Sequence, residues 1–104
     1  MKSFWNPKPD PGYEYLLVKI RIKYIDGEDK LPVMGYDFRA GIDNTIYSPE
    51  LVVMPKTLKE FEYVELLPGG EVEGWVAFIV PQGKLVRLYY TDGLDTYEFA
   101  RINP

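Results

Sequence analysis

The clearest pattern in the chain is a strict alternation of apolar and charged residues over residues 16–24. Its apolar members occupy the even positions: Leu16, Val18, Ile20, Ile22 and Tyr24. The odd positions from 19 onward are cationic: Lys19, Arg21 and Lys23. A period of two puts one face of an extended chain in a core and the other in water. The pattern therefore predicts an antiparallel β-strand.

Weaker forms of this pattern follow along the chain, each bounded by Gly, Pro, Asn or Asp residues typical of turns. They predict strands over residues 35–40, 45–47, 60–67, 71–80, 85–91 and 96–102. Residues 50–60 have no clear pattern and are left unassigned. About seven short strands at this spacing predict an all-β fold, an antiparallel two-sheet immunoglobulin-like β-sandwich. The proline-rich residues 1–12 predict an extended N-terminal segment, and residues 13–104 a single immunoglobulin-like domain.

Four stretches of the chain carry a family resemblance. They are residues 12–24, Tyr36-Asp37-Phe38, residues 66–81 with Gly74 and the Val80-Pro81 ending, and Leu88-Tyr89-Tyr90. In these stretches the chain resembles the telokin-like, immunoglobulin-fold family of unknown function found on prokaryotic secreted proteins and lipoproteins. The resemblance implies an extracytoplasmic accessory role and supplies no catalytic residues. Two departures are Tyr24, where the family usually has asparagine, and the lack of a lipobox cysteine ahead of the domain.

Composition removes several classes of function. The chain has no cysteine and no histidine, which excludes disulfides, thiolate zinc sites and catalysis by Ser–His or Cys–His pairs. No cofactor and no metal site is therefore expected. A net charge of −4 argues against nonspecific binding to nucleic acid, which needs a basic surface. Few Ser, Asn and Gln residues beside abundant Glu and Lys are typical of hyperthermophile proteins and favour a thermophilic source.

The chain contains no sign of membrane insertion. No apolar run approaches the roughly 20 residues that span a bilayer, so no membrane span is expected. The first seven residues lack the apolar core of a signal peptide, so none is expected in this chain. The cellular location stays open on these grounds, and only the family resemblance favours the cell surface.

Two groups of carboxylates are candidates for chemistry. Asp26, Glu28 and Asp29 could supply oxygen ligands to Ca²⁺, although their spacing does not follow the EF-hand and a solvated turn is favoured. Glu71 and Glu73 lie two apart on one face of a strand and could act as a carboxylate pair. Because a chain this small offers little room for a sugar cleft, a solvent-facing position is the preferred interpretation.

The cationic stripe of Lys19, Arg21 and Lys23 also has two interpretations. Three cations along one strand face could bind phosphate groups or an anionic polymer. Cations on a strand next to acidic neighbours more commonly form cross-strand salt bridges. We therefore expect the stripe to be paired with carboxylates.

Aromatic residues divide by parity into core and surface groups. Those expected in the core are Tyr36, Phe38, Phe78 and Tyr90. Those on the opposite parity or in the N-terminal segment form the candidate interaction surface: Trp5, Tyr15, Trp75 and Tyr89. If exposed together, they would make an apolar patch of the kind that contacts a partner. The alternative is that the proline-rich N-terminus folds over them.

These observations favour a non-enzymatic binding or interaction module. Its partner would be a protein or a second copy of the chain, bound through a strand edge or the aromatic face, with a carbohydrate or cell-envelope ligand as a further option. The first alternative is a purely structural spacer or assembly domain with no ligand. The remote alternative is a small hydrolase built on carboxylates.

Overall fold

A computed structural model describes residues 8–103 and contains eight β-strands over that range. The strands are β1 (Tyr13–Lys23), β2 (Leu31–Val33), β3 (Phe38–Ile42), β4 (Thr45–Tyr47), β5 (Val64–Leu66), β6 (Glu71–Pro81), β7 (Val86–Thr91) and β8 (Thr96–Ile102). A single 3₁₀ turn, Gly35–Asp37, precedes β3. The described residues include no helix long and apolar enough to cross a bilayer. The all-β prediction is confirmed, with about one strand more than expected.

The strands form two main antiparallel layers. In the first, β1 pairs with β6 along its whole length, from Tyr13 opposite Pro81 to Lys23 opposite Glu71. In the second, four strands lie in the order β4-β3-β7-β8. A short pair of β2 and β5 completes the fold. Consecutive strands β3–β4 and β7–β8 are hairpins, as the Asp-Asn and Asp-Gly turn sequences favour.

Side chains from both layers meet in one core. On β1 and β6 the inward positions pair Leu16 with Phe78 and Val18 with Val76, as the period-two pattern requires. Phe38 of β3 packs edge-on against Phe61, with ring centroids 5.2 Å apart. The buried cluster consists of Ile20, Val33, Phe38, Ala40, Ile42, Phe61, Leu66, Val76, Phe78, Val80, Val86 and Leu88. The fold is thus a β-sandwich, whereas its immunoglobulin-like topology stays a prediction.

One expected core residue lies at the surface instead. Tyr36 was placed on the same face as Phe38, but its side chain is 54% exposed. The reason is the 3₁₀ turn, which two hydrogen bonds between Met34 and Asp37 close. The Asp37 backbone N donates to Met34 O at 3.0 Å, and the Met34 backbone N donates to the Asp37 carboxylate oxygen Oδ2 at 3.0 Å. A turn resets the alternation of side chains, so parity counted through it fails.

The middle of the chain is also less regular than its pattern predicts. A strand was expected over residues 60–67, but only Val64–Leu66 forms one. Residues 50–60 form no strand and instead touch β6 through two isolated bridges, Glu50 with Ala77 and Glu60 with Trp75. The short strand β2 was missed because it has three residues, one of them Pro32.

Candidate interaction surfaces

The segment of residues 50–60 covers one edge of β6 and sets the surroundings of Trp75. The Trp75 backbone N donates to Lys59 O at 2.8 Å, and Phe61 N donates to Trp75 O at 3.0 Å. This close approach requires Gly74, because a Cβ at that position would lie 2.4 Å from the Phe61 Cα. Gly74 therefore belongs to the resemblance motif for a packing reason: it lets a neighbouring backbone reach the strand.

The four aromatic residues predicted as an interaction surface do not come together among the described residues. Tyr15 and Trp75 lie on the outer face of the β1–β6 layer, opposite Ile79 and Lys19 respectively. Tyr89 lies on the outer face of the other layer, and Trp5 falls outside the described residues. The outward parity of the three described residues agrees with the sequence pattern. Their role in binding stays a prediction, and it concerns two separate faces.

Local surroundings differ between these aromatics. Tyr15 is half-buried, and burial together with the nearby Glu50 carboxylate raises the pKa of its hydroxyl. The Tyr89 ring lies over Gly41, where an added Cβ would meet the ring at 2.6 Å. Packing of an aromatic ring over a strand glycine covers backbone that would otherwise be exposed. Tyr89 is therefore held flat against its sheet rather than projecting from it.

A cleft of about 160 Å³ lies beside Trp75, between the 3₁₀ turn and the segment that covers β6. Its walls combine exposed apolar side chains, such as Met34 and Tyr63, with the carboxylates of Glu50 and Glu60. Such a cleft can accept one side chain of a partner. Sequence reasoning missed it because it depends on the 3₁₀ turn and on residues 50–60, neither of which has a legible pattern.

Two of the three cations of the β1 stripe, Lys19 and Arg21, are paired with carboxylates, as expected. Lys19 Nζ lies 2.6 Å from Glu73 Oε1, and Arg21 donates to Glu71 Oε2 at 2.7 Å. Both pairs run diagonally across the β1–β6 ladder, within the reach of long side chains. The bond from Lys19 holds the pKa of Glu73 below its usual range. Two members of the predicted basic stripe and both members of the predicted carboxylate pair are thus salt-bridge partners of one another.

Strand β8 presents exposed aromatic and apolar residues beside a free edge. Among residues 8–103 it pairs only with β7, so its second edge has no strand partner there. Leu94 in the preceding turn is 93% exposed, Tyr97 is 51% exposed and Phe99 is 47% exposed. The pairing of β7 with β8 shifts by one residue between Leu88, which lies opposite Ala100, and Tyr89, which lies opposite Glu98. This bulge leaves Phe99 as the extra residue of β8. The alternation predicted the strand but not this exposure, which follows from its position at the end of the sheet.

Comparison with known proteins gives a family and a fold. The family described as "Domain of unknown function (DUF4352)" matches residues 3–99. The crystal structure of a predicted lipoprotein, ycdA from Bacillus subtilis subsp. subtilis str. 168, superposes with a TM-score of 0.77 at 23% identity. The match covers 97% of this chain and 32% of that protein, so the chain spans about a third of its length. No curated protein matches the sequence.

These comparisons confirm the coarser part of the predicted resemblance. The chain matches a family of unknown function, as expected, and its structural neighbour is a predicted lipoprotein. At 23% identity that neighbour supports the fold alone. The telokin-like designation and the thermophilic source stay predictions.

Proposed function

Because the chain belongs to the DUF4352 family, whose function is unknown, its role has to come from its own surfaces, and we propose that it is a non-enzymatic interaction module. The single observation that carries this proposal is the free edge of β8 with Tyr97 and Phe99 exposed beside it. Unpaired backbone groups at a sheet edge bind an extended strand, and neighbouring side chains supply specificity. The strand would come from a second copy of this chain or from a protein partner.

The hydrogen-bond pattern identifies which backbone groups face the free edge. Asp92 N donates to Asp95 O at 3.2 Å, and hydrogen-bonded and non-hydrogen-bonded pairs alternate along an antiparallel ladder. Counting from that bond, the pair Tyr90–Tyr97 exchanges bonds and the pair Tyr89–Glu98 does not. From this alternation we expect the N–H and C=O of Glu98 to point away from β7, where an added strand could bind them.

Strand β1 also has a second edge with no strand partner among the described residues, but it is a poorer candidate. Its exposed positions carry Lys19, Arg21 and Lys23, and lysine along an edge is a common device against strand addition. Strand β8 carries one cation, Arg101, where β1 carries three, and Arg101 is bonded to Glu98, with Nε 2.6 Å from Oε2. The β8 edge thus combines free backbone groups with an apolar surface, which favours pairing.

Self-association is tested by light scattering after size-exclusion chromatography over a wide range of protein concentration. We expect the wild-type chain to dimerise as concentration rises. Glu98→Pro removes the outward N–H without removing a bond to β7, so this variant should stay monomeric. Glu98→Ala is the matched control, because it loses the same carboxylate and the Arg101 pair but keeps the N–H. It should dimerise like the wild type.

A wild-type chain that is monomeric at every concentration would refute self-association through β8, and so would a dimer that survives Glu98→Pro. The second candidate function, a structural spacer, would then be favoured, because the match covers only 32% of the structural neighbour. For the location we propose an extracytoplasmic accessory domain. The support is the neighbour's description as a predicted lipoprotein, and fractionation of cells that express the native protein tests it.

A further inference from the structure

The outer face of the four-stranded sheet concentrates the arginines of the chain. Three of the four arginines lie on it, Arg39 on β3, Arg87 on β7 and Arg101 on β8. Glu98 is the one carboxylate at an outward position within these strands. The chain as a whole carries a net charge of −4, so this face is opposite in sign to the rest of the molecule.

The register places two of these arginines against each other. Arg87 lies directly opposite Arg101 in the β7–β8 ladder. Like charges in directly opposite positions of a ladder are destabilising. A sequence selected for stability alone would place a carboxylate at one of the two positions, as β6 does opposite the cations of β1.

Two of the three guanidinium groups are already occupied. Arg101 binds Glu98, and Arg39 donates to the carbonyls of Tyr36 and Phe38 while its guanidinium carbon lies 4.7 Å from the centre of the Tyr36 ring. Arg87 has no carboxylate within ion-pair distance among residues 8–103. Its exposed guanidinium therefore keeps its donors available to a ligand.

A hollow of about 340 Å³ adjoins Arg87 on this face. The Tyr89 ring and Arg87 bound one side, the turn residues Asn44 and Thr45 bound the other, and Gly41 lies at its base. The acidic residue of the turn, Asp43, is neutralised by Lys84, with Nζ 3.4 Å from Oδ2. The hollow thus offers polar donors and one cation, Arg87, that makes no ion pair among the described residues and feels the Glu98 carboxylate only from a distance. Its volume is in the lower part of the size range of small-molecule sites.

We propose that this hollow binds the oxyanion group of a small ligand, a phosphate or a carboxylate, with Arg87 as the principal cation. The planar guanidinium presents two parallel N–H groups that match either oxyanion. A bound anion would add a second negative charge beside Arg87 and Arg101, which share the single carboxylate of Glu98 on this face. The site lies on a sheet face and does not depend on strand addition at the β8 edge.

The test is a titration of the ¹⁵N-labelled chain followed by amide chemical shifts, at constant ionic strength set with sodium chloride. Inorganic phosphate and acetate are the two probes, and their relative affinity distinguishes a phosphate ligand from a carboxylate ligand. We expect saturable shifts confined to the amides of Gly41, Asn44, Thr45 and Tyr89. Arg87→Gln should weaken this binding at least tenfold. Arg21→Gln, which removes an exposed arginine from the other layer, should leave it unchanged.

A second measurement keeps the test independent of any loss of fold. The urea concentration at the midpoint of unfolding of the wild-type chain should rise when phosphate or acetate is added. An anion that binds only the native state stabilises that state. Arg87→Gln should show no such shift. Shifts that do not saturate, that spread over all cationic residues, or that persist equally in Arg87→Gln would overturn the proposal.

Discussion

Gly74→Ala tests how closely the segment of residues 50–60 is bound to the sheet. The added methyl group would lie 2.4 Å from the Phe61 Cα, 2.7 Å from the Phe61 N and 3.0 Å from the Glu60 carbonyl carbon. All three atoms belong to backbone, so no side-chain rotation removes the clash. The segment has to move away from β6, and its contacts with the strand are lost with it.

The cost can be estimated from the contacts that this movement breaks. The two hydrogen bonds between Trp75 and residues 59 and 61 contribute about 1 kcal/mol each. Phe61 is 6% exposed and packs on Phe38, and a partial withdrawal of its ring loses roughly another 1–2 kcal/mol. Alanine recovers about 0.5–1 kcal/mol by restricting the unfolded chain. We expect a net loss of roughly 3 kcal/mol in the free energy of unfolding, in line with other overpacked sites.

Urea unfolding followed by circular dichroism measures this loss. With a denaturant slope of about 1–3 kcal/mol/M for a small domain, the midpoint should fall by roughly 1–3 M. Gly41→Ala is the matched control, because its methyl group would meet the tip of the Tyr89 ring at 2.6 Å, and a side chain can rotate away. It should cost about 1 kcal/mol. A Gly74→Ala chain within about 1 kcal/mol of the wild type, or one no worse than Gly41→Ala, would refute this reasoning.

Two further predictions concern the turn between β7 and β8 and the burial of two aromatic residues of β6. Backbone N–H groups of Asp95 and Leu94 hold the pKa of Asp92 below its usual range, so its contribution is present above the ordinary Asp pKa and is lost as pH falls through the lowered value. Urea midpoints at pH 6 and pH 2.5 should therefore differ less in Asp92→Ala than in the wild type; an equal difference in both would contradict the assignment. Phe78→Ala should cost about 3–5 kcal/mol because Phe78 is fully buried, and Trp75→Ala clearly less because Trp75 lies on an outer face. A larger loss for Trp75→Ala would assign Trp75 to the core.

The sequence predicted the fold where side-chain alternation is unbroken. β1 was located because an eleven-residue strand with one wet face leaves a long regular pattern. β6 was located because Pro-Gly turn sequences bound a long apolar run, and β8 because an Asp-Gly turn separates it from β7. Prediction failed where a local hydrogen bond overrides alternation, as the Asp37 carboxylate does at the 3₁₀ turn. It also failed for residues 50–60, whose position depends on Gly74, a residue outside the segment and further along the chain. No pattern within the segment itself reports that contact.

The candidate surfaces show why parity alone does not locate a site. Parity assigned Trp75 and Tyr89 correctly to outer faces, but it cannot say that the two faces belong to different layers. The sequence also does not distinguish a cation that forms a salt bridge from one that does not, because the cations of β1 and those of β7 and β8 look alike in it. Register separates them: Arg21 reaches Glu71, whereas Arg87 faces Arg101. The cations Lys19 and Arg21 of β1 each have a glutamate of their own, so stability alone explains them. Arg87 and Arg101 share the one carboxylate of Glu98, which is bonded to Arg101, and Arg87 makes no ion pair among the described residues. That imbalance is the physical reason to look for an anionic ligand on the β7–β8 face.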